Sequence, residues 1–315
     1  NSNNSISVNL SDSYDLLTED REFKESDINK TFFYRTTTLP SISFNHGSRL
    51  LFGDGLKWYN SIYYSFNSNL KVRVRKGHVS YDSINSIVDT TAFQNGANHK
   101  LTLSAPQKAF KWIDISPRLN LTESWIFGYK EPIKDNEGNY LVDSSDQYKY
   151  KYYENSIKRR LTGDLSIGIS TKLYGTFSPK IFSLAAIRHV ITPSVTFSYR
   201  PDFYKPTIFG LDNQYIDFDT NNKAFDYFSG SLVSPTPNGE RRNYNFRIRN
   251  DFQGKFYSND TYRKVDILSW TSSISYDATK DSLNWSYLSS TFRSNLFNKF
   301  NIDLSLKHDL YKKEN

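Results

Sequence analysis

Apolar and polar residues alternate with a period of two over long stretches of this chain. In the segment 187–203, IRHVITPSVTFSYRPDF, the odd positions are mostly apolar, whereas the even positions are mostly small, hydroxylated or basic. A period of two places these two sets on opposite faces of an extended strand. The segment 56–75 repeats the pattern over a length that exceeds the roughly 3–10 residues of ordinary strands. The alternation therefore predicts long strands, each with an apolar and a polar face.

Strands of this kind follow one another along the whole chain. We predict about eleven of them, at 5–11, 31–45, 56–75, 99–104, 110–129, 148–176, 187–203, 241–256, 264–277, 284–296 and 300–308. Short connections at 46–55, 105–109, 177–186, 257–263 and 297–299 alternate with longer ones at 12–30, 76–98, 130–147 and 201–240, and only 278–283 is short on the second side. Outer-membrane β-barrels have this arrangement, because short periplasmic turns alternate with long extracellular loops. The predicted fold class is all-β, an antiparallel transmembrane β-barrel, with residues 1–315 forming part of one barrel domain.

Three prolines and one glutamate interrupt the predicted pattern. Pro40, Pro117 and Pro193 lie inside strands, where each lacks the N–H group that a sheet ladder uses. We expect them to weaken pairing locally, at a bulge or at a strand end near the membrane boundary. Glu123 falls on the apolar side of its strand, which indicates a bulge or a position near the lipid headgroups.

The composition allows a membrane protein only of the strand type. Mean hydropathy is −0.64 and hydrophobic residues make up 37% of the chain. No apolar run reaches the roughly 18 residues of a transmembrane helix, but a transmembrane strand needs an apolar residue only at every second position. Aromatic residues are abundant, at 16%, and those near strand ends are typical of interfacial girdles. They are Trp58, Trp125, Tyr129, Tyr199 and Tyr276. The same composition also fits a secreted all-β protein.

The net charge and the residue types limit which partners, metal sites and enzyme activities the chain can have. The net charge of +7 fits partners such as nucleic acid, anionic lipid or phosphate, and equally fits scattered solvated charge. Cysteine is absent, which excludes disulfides and thiolate metal sites. The histidines are scattered, and an SxxK match at 68–71 lies in a strand pattern. We therefore predict no enzyme activity, no cofactor and no metal site. The start at Asn1 without a signal segment indicates a fragment or a mature piece.

The polar faces of the predicted strands contain more basic than acidic residues. The candidates for a basic lumen lining are Arg73, Arg118, Arg160, Arg188, Arg200, Arg247 and Arg249. If these faces point inward, their guanidinium groups would bind phosphate through charge-assisted hydrogen bonds. We expect such a lining to attract or guide an anionic ligand. The alternative is ordinary solvation of the lumen, with ion pairs inside it.

Several segments, in order along the chain, resemble the lipopolysaccharide-assembly outer-membrane protein family LptD, also called OstA, in its Bacteroidetes-type form. They are TTTLPSISF at 36–44, LKWYNSIYYSF at 56–66, FKWIDISPRLNLTESW at 110–125, IRHVITPSVTFSYRPDF at 187–203, YFSGSLVSPTPNGERRNYNFRIRNDFQGK at 227–255 and DSLNWSYLSSTFRSNLF at 281–297. The resemblance spans nearly the whole chain. It implies the middle part of the barrel domain, without the family's N-terminal periplasmic domain and without the first and last barrel strands, whose seam is the lateral gate.

The resemblance implies a transport function at the bacterial outer membrane. A multi-pass barrel there would accept lipopolysaccharide from a periplasmic bridge and release it into the outer leaflet without covalent chemistry. The implied partners are lipopolysaccharide, outer-membrane lipid, the Lpt bridge proteins and a plug lipoprotein similar to LptE, and nucleic acid is not among them. The disulfides of enterobacterial members cannot be carried over, because this chain has no cysteine.

Three other interpretations are open on the residues alone. Another outer-membrane barrel, such as a porin or a nutrient receptor, would share the strand pattern but not the ordered segments. A secreted β-sandwich adhesin or glycan binder would be soluble without detergent, and it would not explain the long strands. A barrel enzyme such as a phospholipase or a protease would need a nucleophile paired with a histidine, and no such pair can be assembled from the sequence.

Overall fold

The structure of this chain, a computed structural model, describes most of the sequence. The described residues are 4–19, 22, 24, 27, 30–55, 57–80, 87–143, 148–179, 184–205, 215–258, 261–296 and 300–311. Within them the chain is almost entirely antiparallel β-structure, which confirms the predicted all-β fold class. Among the same residues, no helix has the length and hydropathy that a membrane-spanning helix requires.

The elements begin with β1 (Asn4–Tyr14), α1 (Leu16–Glu19), β2 (Thr31–Leu50), a 3-10 helix (Trp58–Ser61), β3 (Tyr63–Ser80), β4 (Ile87–Ser104), β5 (Gln107–Ala109), β6 (Ile113–Pro132), β7 (Tyr150–Thr171) and β8 (Leu173–Phe177). They continue with β9 (Leu184–Arg200), β10 (Ile216–Phe218), β11 (Ala224–Asp226), β12 (Arg241–Ser258), β13 (Thr261–Asp277), β14 (Leu288–Leu296) and β15 (Phe300–His308). The main sheet has the order β1-β2-β3-β4-β6-β7-β9-β12-β13-β14-β15. β5 extends β4 along β6, β8 extends β7 along β9, and β10 and β11 form a separate hairpin.

The main sheet is an open path of eleven strands. Along the path, each strand is antiparallel to its neighbours. Within the described residues, β1 and β15 lie at the two ends of the path and do not pair with each other. The chain therefore forms a partial barrel, whose strand number agrees with the prediction.

Cross-strand pairing sorts the side chains onto two continuous faces. Pairs on the polar face include Ser166–Ser198, Ser194–Arg247 and Thr271–Thr291. Pairs on the apolar face include Leu119–Leu165, Val195–Phe246 and Trp270–Phe292. Side chains of the apolar face stay exposed, with Ile248 and Leu304 each 48% accessible. A soluble sheet would bury such a face against a second layer, so the exposed apolar face indicates contact with lipid.

The long loop predicted at 76–98 is wrong. β3 continues to Ser80 and β4 begins at Ile87, and the two strands pair over their whole length without a shift of register. The apolar alternation is weak in this region, but backbone groups of adjacent strands pair whatever side chains they carry. A prediction from side-chain alternation therefore underestimates the length of this hairpin.

The strand predicted at 56–75 begins later than expected. Residues Trp58–Ser61 form a 3-10 helix, and β3 starts only at Tyr63. The side chain of Asn60 accepts a hydrogen bond from the Lys57 N–H at 3.2 Å and donates one to the Gly53 carbonyl at 2.5 Å. Local bonds of this kind offer the backbone an alternative to the sheet ladder.

Other boundaries shift by a few residues. β1 runs to Tyr14, β2 to Leu50 and β6 to Pro132, each extending into a segment that was predicted as a connection. Parts of the predicted connections, together with the predicted strand residue Leu56, lie outside the described residues. These parts are 20, 21, 23, 25, 26, 28, 29, 81–86, 144–147, 180–183, 206–214, 259–260 and 297–299.

Each strand proline lies beside an interruption of a ladder. Pro40 falls within a shift of register against both β1 and β3. Pro117 lies opposite the gap between β4 and β5, and Pro193 lies opposite the gap between β7 and β8. The missing proline N–H explains why a proline is compatible with these positions. Glu123 pairs with β4 and β7 in an unbroken register, so a bulge at this residue is wrong.

A bulge at Gly128 turns Tyr129 away from its predicted face. The register between β6 and β7 shifts between Phe127 and Tyr129. Gly128 has a φ of 81°, which residues with a side chain rarely adopt. Tyr129 consequently lies on the side of the polar face, where its ring centroid is 5.5 Å from that of Tyr227. The alternation along 110–129 predicts that Tyr129 shares the face of Trp125, and this prediction is therefore wrong.

Replacing Gly128 with alanine is expected to lower the free energy of unfolding by about 1–2 kcal/mol, because the left-handed conformation disfavours a side chain. The added Cβ would also lie 3.2 Å from the Glu154 carbonyl oxygen. Urea unfolding of the protein in detergent micelles measures this change. Gly175→Ala is the matched control, since no atom lies within 4 Å of its added Cβ. Equal destabilisation by the two variants would contradict the role of the bulge.

Candidate functional site

The buried core of the molecule lies against the polar face of the sheet. Among the described residues, its members are Ile126, Phe203, Tyr215, Ile216, Tyr227, Phe228 and Val233. Ile126 belongs to β6, where it shares the polar face with Ser124, and all the other members belong to the segment 201–240. We call the described residues of this segment, 201–205 and 215–240, the cap. It folds back over β4, β6 and β7, and so covers part of the polar face.

Arg160 of β7 joins the cap to the sheet. Its side chain is only 4% exposed at the residue level. Nη1 donates to the hydroxyl of Thr236 at 2.8 Å, and Nη2 donates to the carbonyl of Ser234 at 2.9 Å. The guanidinium carbon lies 4.3 Å from the centroid of the Phe228 ring. A buried guanidinium is unfavourable without such partners, so Arg160 and the cap stabilise each other.

Asp226 continues this network inside the cap. Its carboxylate accepts hydrogen bonds from the Thr236 N–H and hydroxyl, both at 2.7 Å, and from the Phe228 N–H at 2.9 Å. The Thr236 hydroxyl therefore donates to Asp226 and accepts from Arg160. A chain of charge-assisted hydrogen bonds of this kind holds Asp226, Phe228 and Thr236 of the cap in one geometry.

The edges of the cap make further contacts with the sheet. Gln94 of β4 donates from Nε2 to the Gly230 carbonyl at 2.8 Å. A Cβ at Gly96 would lie 3.0 Å from Val233, so only glycine allows this close approach. Tyr227 donates its hydroxyl to Glu131 at 2.9 Å. Burial, and then this hydrogen bond, raise the pKa of Tyr227, so its phenol remains a donor at neutral pH.

Residues 133–143, in the connection between β6 and β7, pack against the cap. The ammonium group of Lys134 donates to Asp217 at 2.8 Å and to the Phe218 carbonyl at 2.7 Å. The side-chain amide of Asn221 donates to Asn139 at 2.9 Å. The two long connections thus form one cover at the end of the sheet where the long loops lie.

The other half of the polar face, towards the short turns, forms an open groove of about 830 Å³ between β8 and β15. Its ionisable lining consists of Lys172, Arg188, Arg249, Arg293, Asp251, Asp266 and Asp303. Arg249 Nε lies 2.9 Å from an oxygen of Asp251, and Arg293 Nε lies 3.0 Å from an oxygen of Asp303. The positive charge of this groove is therefore largely balanced by aspartates.

The structure does not bring the seven predicted basic residues together into one site. Arg160 and Arg200 hold the cap, the latter donating to the Gly239 carbonyl at 3.2 Å. Arg188 and Arg249 line the groove, and Arg118 lines a separate cavity of about 330 Å³. Arg73 and Arg247 lie on the polar face outside both cavities.

The cap and its anchor were not predicted from the sequence. The segment 201–240 was interpreted as a polar loop because it is rich in Asp, Asn and Pro. Its aromatic residues, including Phe203, Tyr215 and Phe228, are the signal that could have revealed a buried core. No sequence pattern links Arg160 to Thr236 and Asp226, and only the hydrogen bonds of the folded chain bring the three residues together.

A long antiparallel sheet with an exposed apolar face and a covered polar face is the architecture of an outer-membrane β-barrel. A family model described as LptD protein matches residues 4–311, and the chain therefore belongs to the LptD family. A comparison with curated proteins finds no match. Its family membership assigns the chain to lipopolysaccharide transport and assembly at the outer membrane, as the resemblance predicted.

Replacing Arg160 with glutamine is expected to loosen the cap. The variant loses the bonds to Thr236 and Ser234, which should lower the local opening free energy by about 2–3 kcal/mol. Hydrogen exchange at the amides of Phe228 and Thr236 should accelerate roughly 30–150-fold, measured by mass spectrometry.

The control for this prediction is Lys100→Gln, which removes one positive charge from the polar face of β4. Lys100 pairs with Thr122 in the ladder and is exposed. It should leave exchange in the cap unchanged. If both variants accelerated exchange equally, a general charge effect would replace the anchor as the explanation.

Proposed function

We propose that the polar face lines the interior of a closed barrel and that lipopolysaccharide moves along it towards the outer leaflet. The observation that carries this proposal is the combination of a continuous polar face with an exposed apolar face on one sheet. The saccharide and phosphate groups of lipopolysaccharide cannot cross hydrocarbon without hydrogen-bonding partners. The serine, threonine, asparagine and basic side chains of the polar face offer such partners.

The apolar face supports a multi-pass location in the outer membrane. Removing a side chain such as that of Ile248 from water favours insertion by about 1.5–3 kcal/mol. Because one sheet connects β1 to β15, we assign residues 1–315 to a single barrel domain. Further strands would close this barrel, and a periplasmic domain would deliver the lipid to it, as the Bacteroidetes-type resemblance implies.

The open groove is the proposed contact region for a plug lipoprotein similar to LptE. The end of the sheet where the short turns lie is the proposed contact region for the periplasmic bridge proteins. The groove is uncovered, measures about 830 Å³ and contains both charge signs. Mixed charge of this kind suits a protein surface with complementary ion pairs. Its paired arginines are less suited to capture phosphate, because Arg249 and Arg293 already have aspartate partners.

The alternative of a porin or nutrient receptor is not favoured. The LptD family match covers nearly the whole chain, and a secreted β-sandwich would not leave the apolar face uncovered. Transport by this barrel requires no covalent chemistry, and we assign no residue a catalytic role.

Single cysteines test which face meets water, because the chain has none of its own. Ser166, Thr192 and Ser273 lie on the polar face; Ile167, Ile191 and Ile274 are their apolar-face neighbours. In outer-membrane fragments containing the full-length protein, a charged maleimide should label the first set and spare the second. Labelling of the second set alone would invert the proposed orientation.

Photo-crosslinking tests whether lipopolysaccharide passes along the polar face. A benzoylphenylalanine at Ser166 or Ser273, both on the polar face outside the groove, should form adducts with lipopolysaccharide in living cells. The adjacent positions Ile167 and Ile274 lie at the same height on the other face and are the matched controls. Adducts of equal strength at all four positions, or at none, would contradict a path along this face.

A further inference from the structure

Three basic residues form an unbroken row on the polar face of β3. Lys71, Arg73 and Arg75 occupy alternate positions of the strand, and each is half-buried. Since alternate residues of a strand are about 6.7 Å apart, the row spans roughly 13 Å. We call it the β3 basic row. Of its members, only Arg73 was among the basic residues predicted to line the lumen.

The residues beside this row carry no negative charge. Across the ladder on β2 lie Ser41, Thr38 and Thr36, and on β4 lie Gly96, Gln94 and Ala92. Among the ion pairs of the described residues, none involves a member of the row. The Nε atoms of Arg73 and Arg75 are buried without a hydrogen-bond partner. The guanidinium carbon of Arg75 lies 4.1 Å from the ring centroid of Phe33, which accepts no conventional hydrogen bond.

Three other cations of the polar face are already engaged. Arg249 and Arg293 are paired with aspartates in the groove, and Arg160 is bound to the cap. The β3 basic row differs because three adjacent like charges repel one another and have no internal counter-charge. A polyanion that bridges the row would relieve this repulsion and supply acceptors to the buried Nε atoms.

The row lies at the edge of the cap. Gln94, which is opposite Arg73, donates to the Gly230 carbonyl of the cap. Gly96, which is opposite Lys71, is in close contact with Val233 of the cap. A ligand that moves along the polar face and past the cap would therefore meet the row at this point.

We infer that the β3 basic row binds the phosphate groups of lipopolysaccharide during its passage. This inference rests on the proposed path along the polar face and adds a phosphate-binding site on that path. Arginine recognises phosphate through a planar pair of N–H donors, and lysine adds a point charge. The length of the row allows contact with more than one phosphate, which suits a multiply phosphorylated glycolipid better than a single free phosphate ion.

The test measures lipopolysaccharide binding by the full-length protein with its native partners, in phosphatidylcholine nanodiscs. The variant Lys71→Gln/Arg73→Gln/Arg75→Gln should bind fluorescent lipopolysaccharide at least about tenfold more weakly than the wild type. It should also lose most of the salt dependence of binding. Dephosphorylated lipopolysaccharide should bind the variant and the wild type equally. Phosphatidylglycerol is the second probe, and it should not compete with lipopolysaccharide for the wild type.

The matched control is Arg263→Gln/Lys264→Gln/Lys280→Gln, which removes the same charge from exposed residues near the two ends of β13. It should bind like the wild type. The charge-preserving variant Arg73→Lys/Arg75→Lys should keep most of the affinity. If the triple variant fails to fold, as judged by its electrophoretic heat modifiability, Arg73→Gln alone should weaken binding about threefold.

Several outcomes would overturn the inference. These are unchanged binding by the folded triple variant, an equal loss in the matched control, or competition by phosphatidylglycerol as strong as that by lipopolysaccharide. If crosslinks still form at Ser166 in any of these cases, the path along the polar face stands and only the binding site at the row fails. If the wild type neither binds nor crosslinks to lipopolysaccharide, the proposed path itself fails.

Discussion

A strand inside a bilayer has no water with which to satisfy its backbone N–H and C=O groups, so each of these groups must pair with a neighbouring strand. This constraint explains why the strands of this protein are long and why each lies beside its successor in the chain. Because the backbone groups are paired, only the side chains on one face of the sheet must be apolar. The mean hydropathy can therefore remain at −0.64 in a sheet whose outer face suits lipid.

The polar face raises the opposite problem, because polar groups that lose water need other partners. The cap meets this requirement because it contributes an apolar core of its own and polar groups that bond to the sheet. Its apolar side chains, such as Phe203 and Phe228, bury one another above the sheet. Its polar groups meet the sheet through Arg160 and Gln94. The buried core of the protein consequently lies against the polar face of the sheet and not against its apolar face.

The charges of the polar face have three different environments. In the groove, arginines face aspartates and the field is nearly balanced. Beneath the cap, Arg160 is enclosed by hydrogen-bond acceptors and an aromatic ring. On β3, Lys71, Arg73 and Arg75 take part in none of the ion pairs of the described residues, and the Nε atoms of Arg73 and Arg75 have no hydrogen-bond partner. A count of basic residues treats these groups alike, although only the unpaired ones keep their capacity to bind an anion.

The sequence by itself determined the two faces of the sheet, the all-β class and the family. The alternation of apolar and polar residues is a local property, because it depends on consecutive residues and not on tertiary contacts. It also located the prolines whose missing N–H groups coincide with interruptions of the ladder. Only the tertiary structure decided where the cap lies, since Arg160 and Thr236 are 76 residues apart in the chain. It also decided that residues 76–80 and 87–98 continue the sheet and that Gly128 turns Tyr129 to the other face. Backbone pairing and the burial of charge depend on contacts between distant residues, and a local pattern of side chains does not encode them.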